Sequence, residues 1–191
     1  MSNEVDRKLI GIRAQAAWLE ALRLHEDPET LGTPERVWHF WQEKLVSGYQ
    51  CSPTEALGPP LQTQTDALVC IESIPFHSMC PHHLVPYFGT VDICYDPAQM
   101  ILGLGRFEPF IQVCSRRLIL QEALTEMIGE TLEGHLSPKG ALVRLKATHL
   151  CQMLNGQEPR GSSMTTLWSC GTLKNRYEIL TSKMSVTEMP K

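Results

Sequence analysis

An α+β domain, in which one antiparallel sheet carries helices on a single face, is the fold class this sequence predicts, and three observations predict it. Apolar residues recur at helical spacing in two early stretches and again between Ser115 and Leu136. From Asp66 onward the remaining texture is short apolar or alternating runs, the pattern of strands. One pair of these runs precedes the late helical stretch and one pair follows it, so the order is two helices, two strands, a helix and two strands.

The first helix holds dense apolar residues from Ile10 through Leu24 and breaks at "HEDPET", where Pro28 blocks continuation. The second is "TPERVWHFWQEKLVSG", with Thr33 as N-cap, Pro34 at the first helical position, and Val37, Phe40, Trp41, Lys44 and Leu45 on one face ahead of Gly48. Residues 51–65 contain three prolines and no periodicity and read as a long loop or mobile connector. Four strands follow in "ALVCIESI", "LVPYFGTVDICY", "ALVRLKATHL" and "SSMTTLWSCGTL". Between the second and third, Leu120, Leu124, Met127, Ile128 and Leu132 mark the helix "SRRLILQEALTEMIGETLEGHL". The organisation expected is N-terminal helices over 1–50, the connector 51–65, the main domain 66–184 and a tail 185–191.

With 191 residues, 42% of them hydrophobic, the chain can bury one ordinary core. Its formal charge of −4 offers no general attraction to nucleic acid or anionic membrane. No stretch approaches the roughly 18 apolar residues of a membrane span, and the polar start "MSNEVDRKLI" is no export signal. The chain reads as cytoplasmic. Seven cysteines, an odd count, argue against a disulfide framework, and Cys94 and Cys114 sit inside apolar strings as buried, inert thiols.

Some thiols have other work. "SMCPHHLVPYFG" places Cys80, His82 and His83 within four positions beside a predicted strand, and "THLC" places His149 and Cys151 at the end of another. Thiolate and imidazole are the ligands zinc prefers, and three protein ligands with a fourth position left to water is the catalytic pattern. Cys80, His83 and Cys151 form such a set. Strand alternation puts His149 and Cys151 on one side, able to face one pocket. His25, His39 and His135 read as surface residues of helices, and His77 as a solvated loop histidine near the site.

From "TPERV" and "SGY", through "SMCPHHLVPYFGTV" and "SRRLILQEALT", to "ATHLC" and "SSMTT", the chain resembles the GTP cyclohydrolase I family over roughly residues 33 to 173. The resemblance implies a tunnelling fold (T-fold) and a ring-shaped homo-oligomer with active sites at subunit interfaces. It implies one Zn²⁺ held by Cys80, His83 and Cys151, attack of zinc-bound water at C8 of a purine, and proton transfer by the non-ligand His82 and His149. Gln121 and Glu122 match the pair that reads the guanine edge. Arg36 of "TPERV" matches a phosphate contact from a neighbouring subunit.

The match fails at four positions. Where the family has a serine and a lysine after "GL" and an arginine three residues beyond the lysine, this chain has "GLGRFEP": Gly105, Arg106 and Pro109. Asn155 stands where the family has a further arginine; Arg106 keeps a charge for substrate binding, and Arg160 is a candidate to compensate. All these positions serve the ribose and triphosphate end, where arginine's two-pronged hydrogen bonds cannot be replaced by proline or asparagine. The expectation is therefore a zinc hydrolase that opens the imidazole ring of a purine lacking triphosphate, guanine-like or 8-oxo. The alternative is an ordinary GTP cyclohydrolase I making dihydroneopterin triphosphate for folate or pterin synthesis; an inactive zinc-stabilised purine-binding scaffold is the third reading.

Overall fold

The computed structural model describes residues 2–156 and 162–181 and divides into two compact units, residues 1–47 and 48–191. In the first, helix α1 (Ser2–Ala21) packs on α2 (Thr33–Phe40), which continues into a π-turn at Trp41–Leu45. The Trp38 ring lies against Gly11, where a Cβ would stand 2.1 Å from it. Thr33 is not the N-cap. Gly32 takes that place at φ 71°, a left-handed conformation that costs glycine nothing, and Thr33 becomes the first helical residue.

In the second unit, α3 (Pro53–Leu57) and β1 (Leu61–Gln62) occupy the stretch expected to be an irregular connector. Five residues are too few for helical periodicity to register, but a capping box of Ser52 and Glu55 starts the turn and Leu57 is fully buried. The main sheet has strands β2 (Val69–Met79), β3 (Pro86–Asp96), β5 (Gly140–His149) and β6 (Met164–Gly171), in the order β2-β3-β5-β6, every pair antiparallel. β4 (Met100–Ile101) pairs with β1. Helices α4 (Phe107–Ser115) and α5 (Gln121–Leu136) cover one face. Short helices α6 (Leu150–Leu154) and α7 (Glu178–Thr181) follow β5 and β6.

The core lies between that face and the two helices: Val91, Ile93 and Tyr95 of β3 and Val143 and Leu145 of β5 meet Phe110, Ile111, Leu124, Ile128 and Leu132, all 0–1% exposed. Each such side chain contributes about 1.5–3 kcal/mol by leaving water, so this layer fixes where the start of α5 stands. α4 was hidden in the sequence because Pro109 falls in it. The proline occupies the first turn, where its missing N–H would have no helical partner anyway.

Two cysteines also depart from expectation. The β2–β3 register sets Cys70 directly opposite Cys94, with Cα atoms 4.1 Å apart, and the two are joined as a disulfide. An odd count excludes complete pairing, not one pair. Cys114 is buried, and burial pushes its thiol up to about 12.

Candidate metal centre

The sheet register builds the site. Met79 is the last residue of β2 and pairs with Pro86, the first of β3, so residues 80–85 form the connecting turn. Leu84 takes a left-handed conformation at φ 53°, its N–H bonds Cys80 O at 2.9 Å, and Cys80 N–H bonds Val85 O at 3.0 Å. These contacts fold the turn so that the Cys80 Sγ lies 3.6 Å from His83 Nδ1. On the neighbouring strand His149 is the register partner of Tyr87, and the chain turns there into α6. Cys151 therefore reaches the site from a helical turn, not by strand alternation with His149.

The donor atoms of Cys80, His83 and Cys151 all lie within 4.8 Å of one another. A tetrahedral zinc with bonds of about 2.0–2.3 Å needs ligand atoms about 3.3–3.8 Å apart, and the 3.6 Å Cys80–His83 separation meets this. Cys80 and Cys151 are 7% and 9% exposed, whereas His83 faces solvent. Burial, and then the adjacent Cys80 sulfur, raise the Cys151 pKa, so the two sulfurs together favour a cation between them. Two thiolates and an imidazole make a soft to borderline set that fits zinc.

A pocket of about 430 Å³ opens over these ligands. His82, His149, Gln121, Glu122 and Asn155 line it. The first two residues of α5 are delivered by a bridge between Met79 and Leu118, with Met79 N–H to Arg117 O and Ile119 N–H to Met79 O both at 3.2 Å. His82 is exposed, its ring 6.3 Å from that of His83 and nearly perpendicular to it. His149 stacks on Tyr87 with centroids 4.7 Å apart and planes at 5°. Tyr87 is 1% exposed and donates its hydroxyl to Ile119 O at 3.0 Å; burial raises its phenol pKa, so it stays protonated.

The resemblance implies a substrate-edge role for both Gln121 and Glu122; in the structure their surroundings differ. Glu122 is exposed to the pocket, at the positive end of the α5 dipole. Gln121 is 1% exposed, with its amide bonded to the protein at both ends. Tyr87 and Thr166, which hold His149 and Gln121, were missed because their signal is strand register, which one sequence does not print. His77 is not in a loop: it lies half-buried in β2, opposite Phe88. His135 is tied to Gly58 O at 2.8 Å, and His25 stands in a turn beyond α1.

The cationic candidates stand elsewhere. Arg106 ends a 3₁₀ turn, Leu104–Arg106; it is exposed, and its guanidinium lies against Gly58, not in the pocket wall. Arg36, in the first unit, donates to Leu31 O and Thr33 Oγ1, both at 2.8 Å. Arg160 lies outside the described residues.

A family model described as GTP cyclohydrolase I matches residues 13–188. The chain is similar to the GTP cyclohydrolase 1 of Wolinella succinogenes, 42% identical over 137 residues, 71% of this chain and 73% of that protein. It is similar to the enzyme of the same name from Chlorobaculum tepidum, 34% identical over 169 residues, 86% of this chain and 75% of that one. The like-named protein of Streptococcus agalactiae is 37% identical over 164 residues, 84% and 87% of the two chains. Among solved structures, the archaeosine synthase QueF-Like in the apo form covers 56% of this chain and 97% of its own, with 19% identity and a TM-score of 0.45.

Proposed function

Because the chain belongs to the GTP cyclohydrolase I family of zinc-dependent hydrolases with the tunnelling fold, we propose that it opens the imidazole ring of GTP at C8 and yields dihydroneopterin triphosphate. The observation that carries this reading is one pocket holding a three-ligand zinc set, two further histidines and one exposed carboxylate. The relatives named above support GTP over the phosphate-free purine expected from the sequence, since each carries the GTP cyclohydrolase name at 34–42% identity.

Cys80, His83 and Cys151 would hold the zinc, which when bound would supply Lewis acidity and bring the pKa of water to about 7. The chain's own groups do the rest. Glu122 accepts hydrogen bonds from the N–H and amino groups on the guanine edge and so sets C8 over the metal end of the pocket. His82 and His149 move protons, one removing a proton from the attacking water and one delivering a proton to the departing ring nitrogen. Buried Tyr87 holds the His149 ring plane and shields that side of the pocket from water.

Homo-oligomeric assembly is part of the proposal. Arg36 of a neighbouring copy then supplies phosphate charge that the pocket wall of one chain lacks among its described residues. Light scattering on the purified protein reports the assembly, and Arg36→Ala should raise KM for GTP.

A second reading rests on the departure described above: Gly105, Pro109 and Asn155 stand where the resemblance implies a hydroxyl and two guanidinium groups. On that reading a nucleoside or nucleobase is opened and no pterin forms. Zinc-loaded protein incubated with GTP, guanosine, guanine and 8-oxoguanine, followed by absorbance and mass, separates the two. A pterin triphosphate from GTP supports the first reading; ring-opened purine from a phosphate-free substrate alone overturns it.

A further inference from the structure

Gln121 heads α5 at the wall of the pocket, yet its side chain is 1% exposed. Its Nε2 lies 3.4 Å from Leu145 O, 3.2 Å from Met164 O and 3.0 Å from Thr166 Oγ1. Its Oε1 lies 2.8 Å from His149 Nε2. Two of the partners around Nε2 are backbone carbonyls, which only accept. Exchanging the amide's oxygen and nitrogen would set oxygen against both of them and leave buried groups unpaired. The amide therefore has one orientation.

A hydroxyl relay reinforces it. Thr125 donates from Oγ1 to Gln121 O at 2.8 Å, so its hydrogen is committed. The 2.6 Å contact between the Thr125 and Thr166 hydroxyls must then run from Thr166 to Thr125. Thr166 in turn accepts from Gln121 Nε2. The ring closes on Gln121, whose two amide hydrogens serve the three acceptors around Nε2, and Oε1 is left with acceptor capacity only.

From this we infer that Gln121 is a positioning residue whose amide holds His149 as the Nε2–H tautomer, with Nδ1 as its basic nitrogen. The imidazole has one hydrogen when neutral, and an acceptor 2.8 Å from Nε2 keeps it there. The Tyr87 ring, stacked at 4.7 Å and 5°, holds the plane of the His149 ring. The tautomer assignment stands on this geometry alone; only its link to turnover rests on the proton-transfer role proposed above for His149. It gives Gln121 a task different from reading a substrate edge, and it makes the relay Thr125–Thr166 part of the site without contact to substrate.

The test reads the nitrogens directly. Zinc-loaded protein labelled with ¹³C,¹⁵N-histidine is measured by magic-angle-spinning NMR, with His149→Gln identifying the signals of that residue. The expected result is a protonated Nε2 and an unprotonated Nδ1 in the neutral ring. A protonated Nδ1 in the neutral ring overturns the inference whatever the activity. In Gln121→Leu the His149 signals should divide between both tautomers, and kcat for GTP should fall about 10–100-fold while KM changes less than about threefold, the size seen when the partner of a site histidine is lost. If Gln121 acts instead on substrate, Gln121→Leu raises KM and leaves the tautomer unmixed. Thr166→Val, which loses the relay but keeps shape, should show a smaller drop in kcat and the same spectral change. Should the tautomer mix without loss of kcat, the role of His149 falls and the assignment of Gln121 stands.

Discussion

The turn between β2 and β3 and the segment that runs from Gly103 into α4 both belong to the same unit, and they are built in opposite ways. In the turn, Cys80 is 7% exposed, its N–H and C=O are both bonded within the turn, and Met79 is bridged to the approach of α5. In the other segment Leu104 is 73% exposed, Arg106 faces solvent, and a Cβ added to Gly105 would meet nothing within 4 Å. The first region is a turn whose own hydrogen bonds set two of the three candidate ligands, Cys80 and His83, side by side. The second is backbone around an open space, where polyphosphate recognition would need cations that are not in the pocket wall. On the function proposed above, the candidate zinc ligands and their pocket lie within one chain, and phosphate recognition is left to assembly or to substrate choice.

The metal end should break hardest. Cys80→Ala or Cys151→Ala is expected to lose bound zinc, read by elemental analysis, and with it all measurable turnover. Full zinc in both variants would remove these ligands from the assignment. His82→Ala and His149→Ala come next, with kcat down about 10²–10⁴-fold and zinc still stoichiometric. Loss of zinc in proportion to activity would instead make them ligands. Glu122→Ala should lower kcat/KM for GTP by at least about a hundredfold, since it removes charge-assisted bonds worth about 1.5–3 kcal/mol each.

The open end offers gains rather than losses. Asn155→Arg should lower KM for GTP by about 10–100-fold, the value of one restored charge-assisted bond, and leave any turnover of guanosine unchanged. An equal effect on both substrates would mean that Asn155 does not face phosphate. The smallest effect concerns stability at the closed face of α4. Burial holds the Cys114 pKa at about 12 against 9.0 for an ordinary thiol, so the folded form keeps a proton that the unfolded chain releases. That contribution is whole below pH 9 and is lost as pH rises toward 12; at pH 10.5 the loss is about 2 kcal/mol. Urea unfolding at pH 8 and pH 10.5 should show Cys114→Ala with the shallower decline; Cys151, Cys170, Tyr87 and Tyr95, whose pKa values burial also raises, contribute to the decline that remains.

Much of this contrast was legible in the residues. The cluster of Cys80, His82 and His83 is local, and "THLC" pairs with it because few other positions offer thiol and imidazole together. Long apolar patterns gave α5 and the four main strands. Features set by register or by a single turn were not legible. Cys70 faces Cys94, and Tyr87 faces His149, only once β2, β3 and β5 are aligned. α3 is too short to show a period, and Pro109 masked α4 because a proline reads as a break until its place in the first turn is known. The burial of Gln121 follows from how the start of α5 is pinned to β2 and β6, which one sequence does not print.

The most direct measurement is the ratio of kcat/KM for GTP to that for guanosine, taken on zinc-loaded protein with products identified by mass. Opening of the GTP imidazole ring predicts a ratio well above about 100, since losing two or more charge-assisted phosphate contacts costs at least about 3 kcal/mol, and a pterin triphosphate as product. A ratio below one, with guanosine opened and no pterin formed from GTP, would contradict the account.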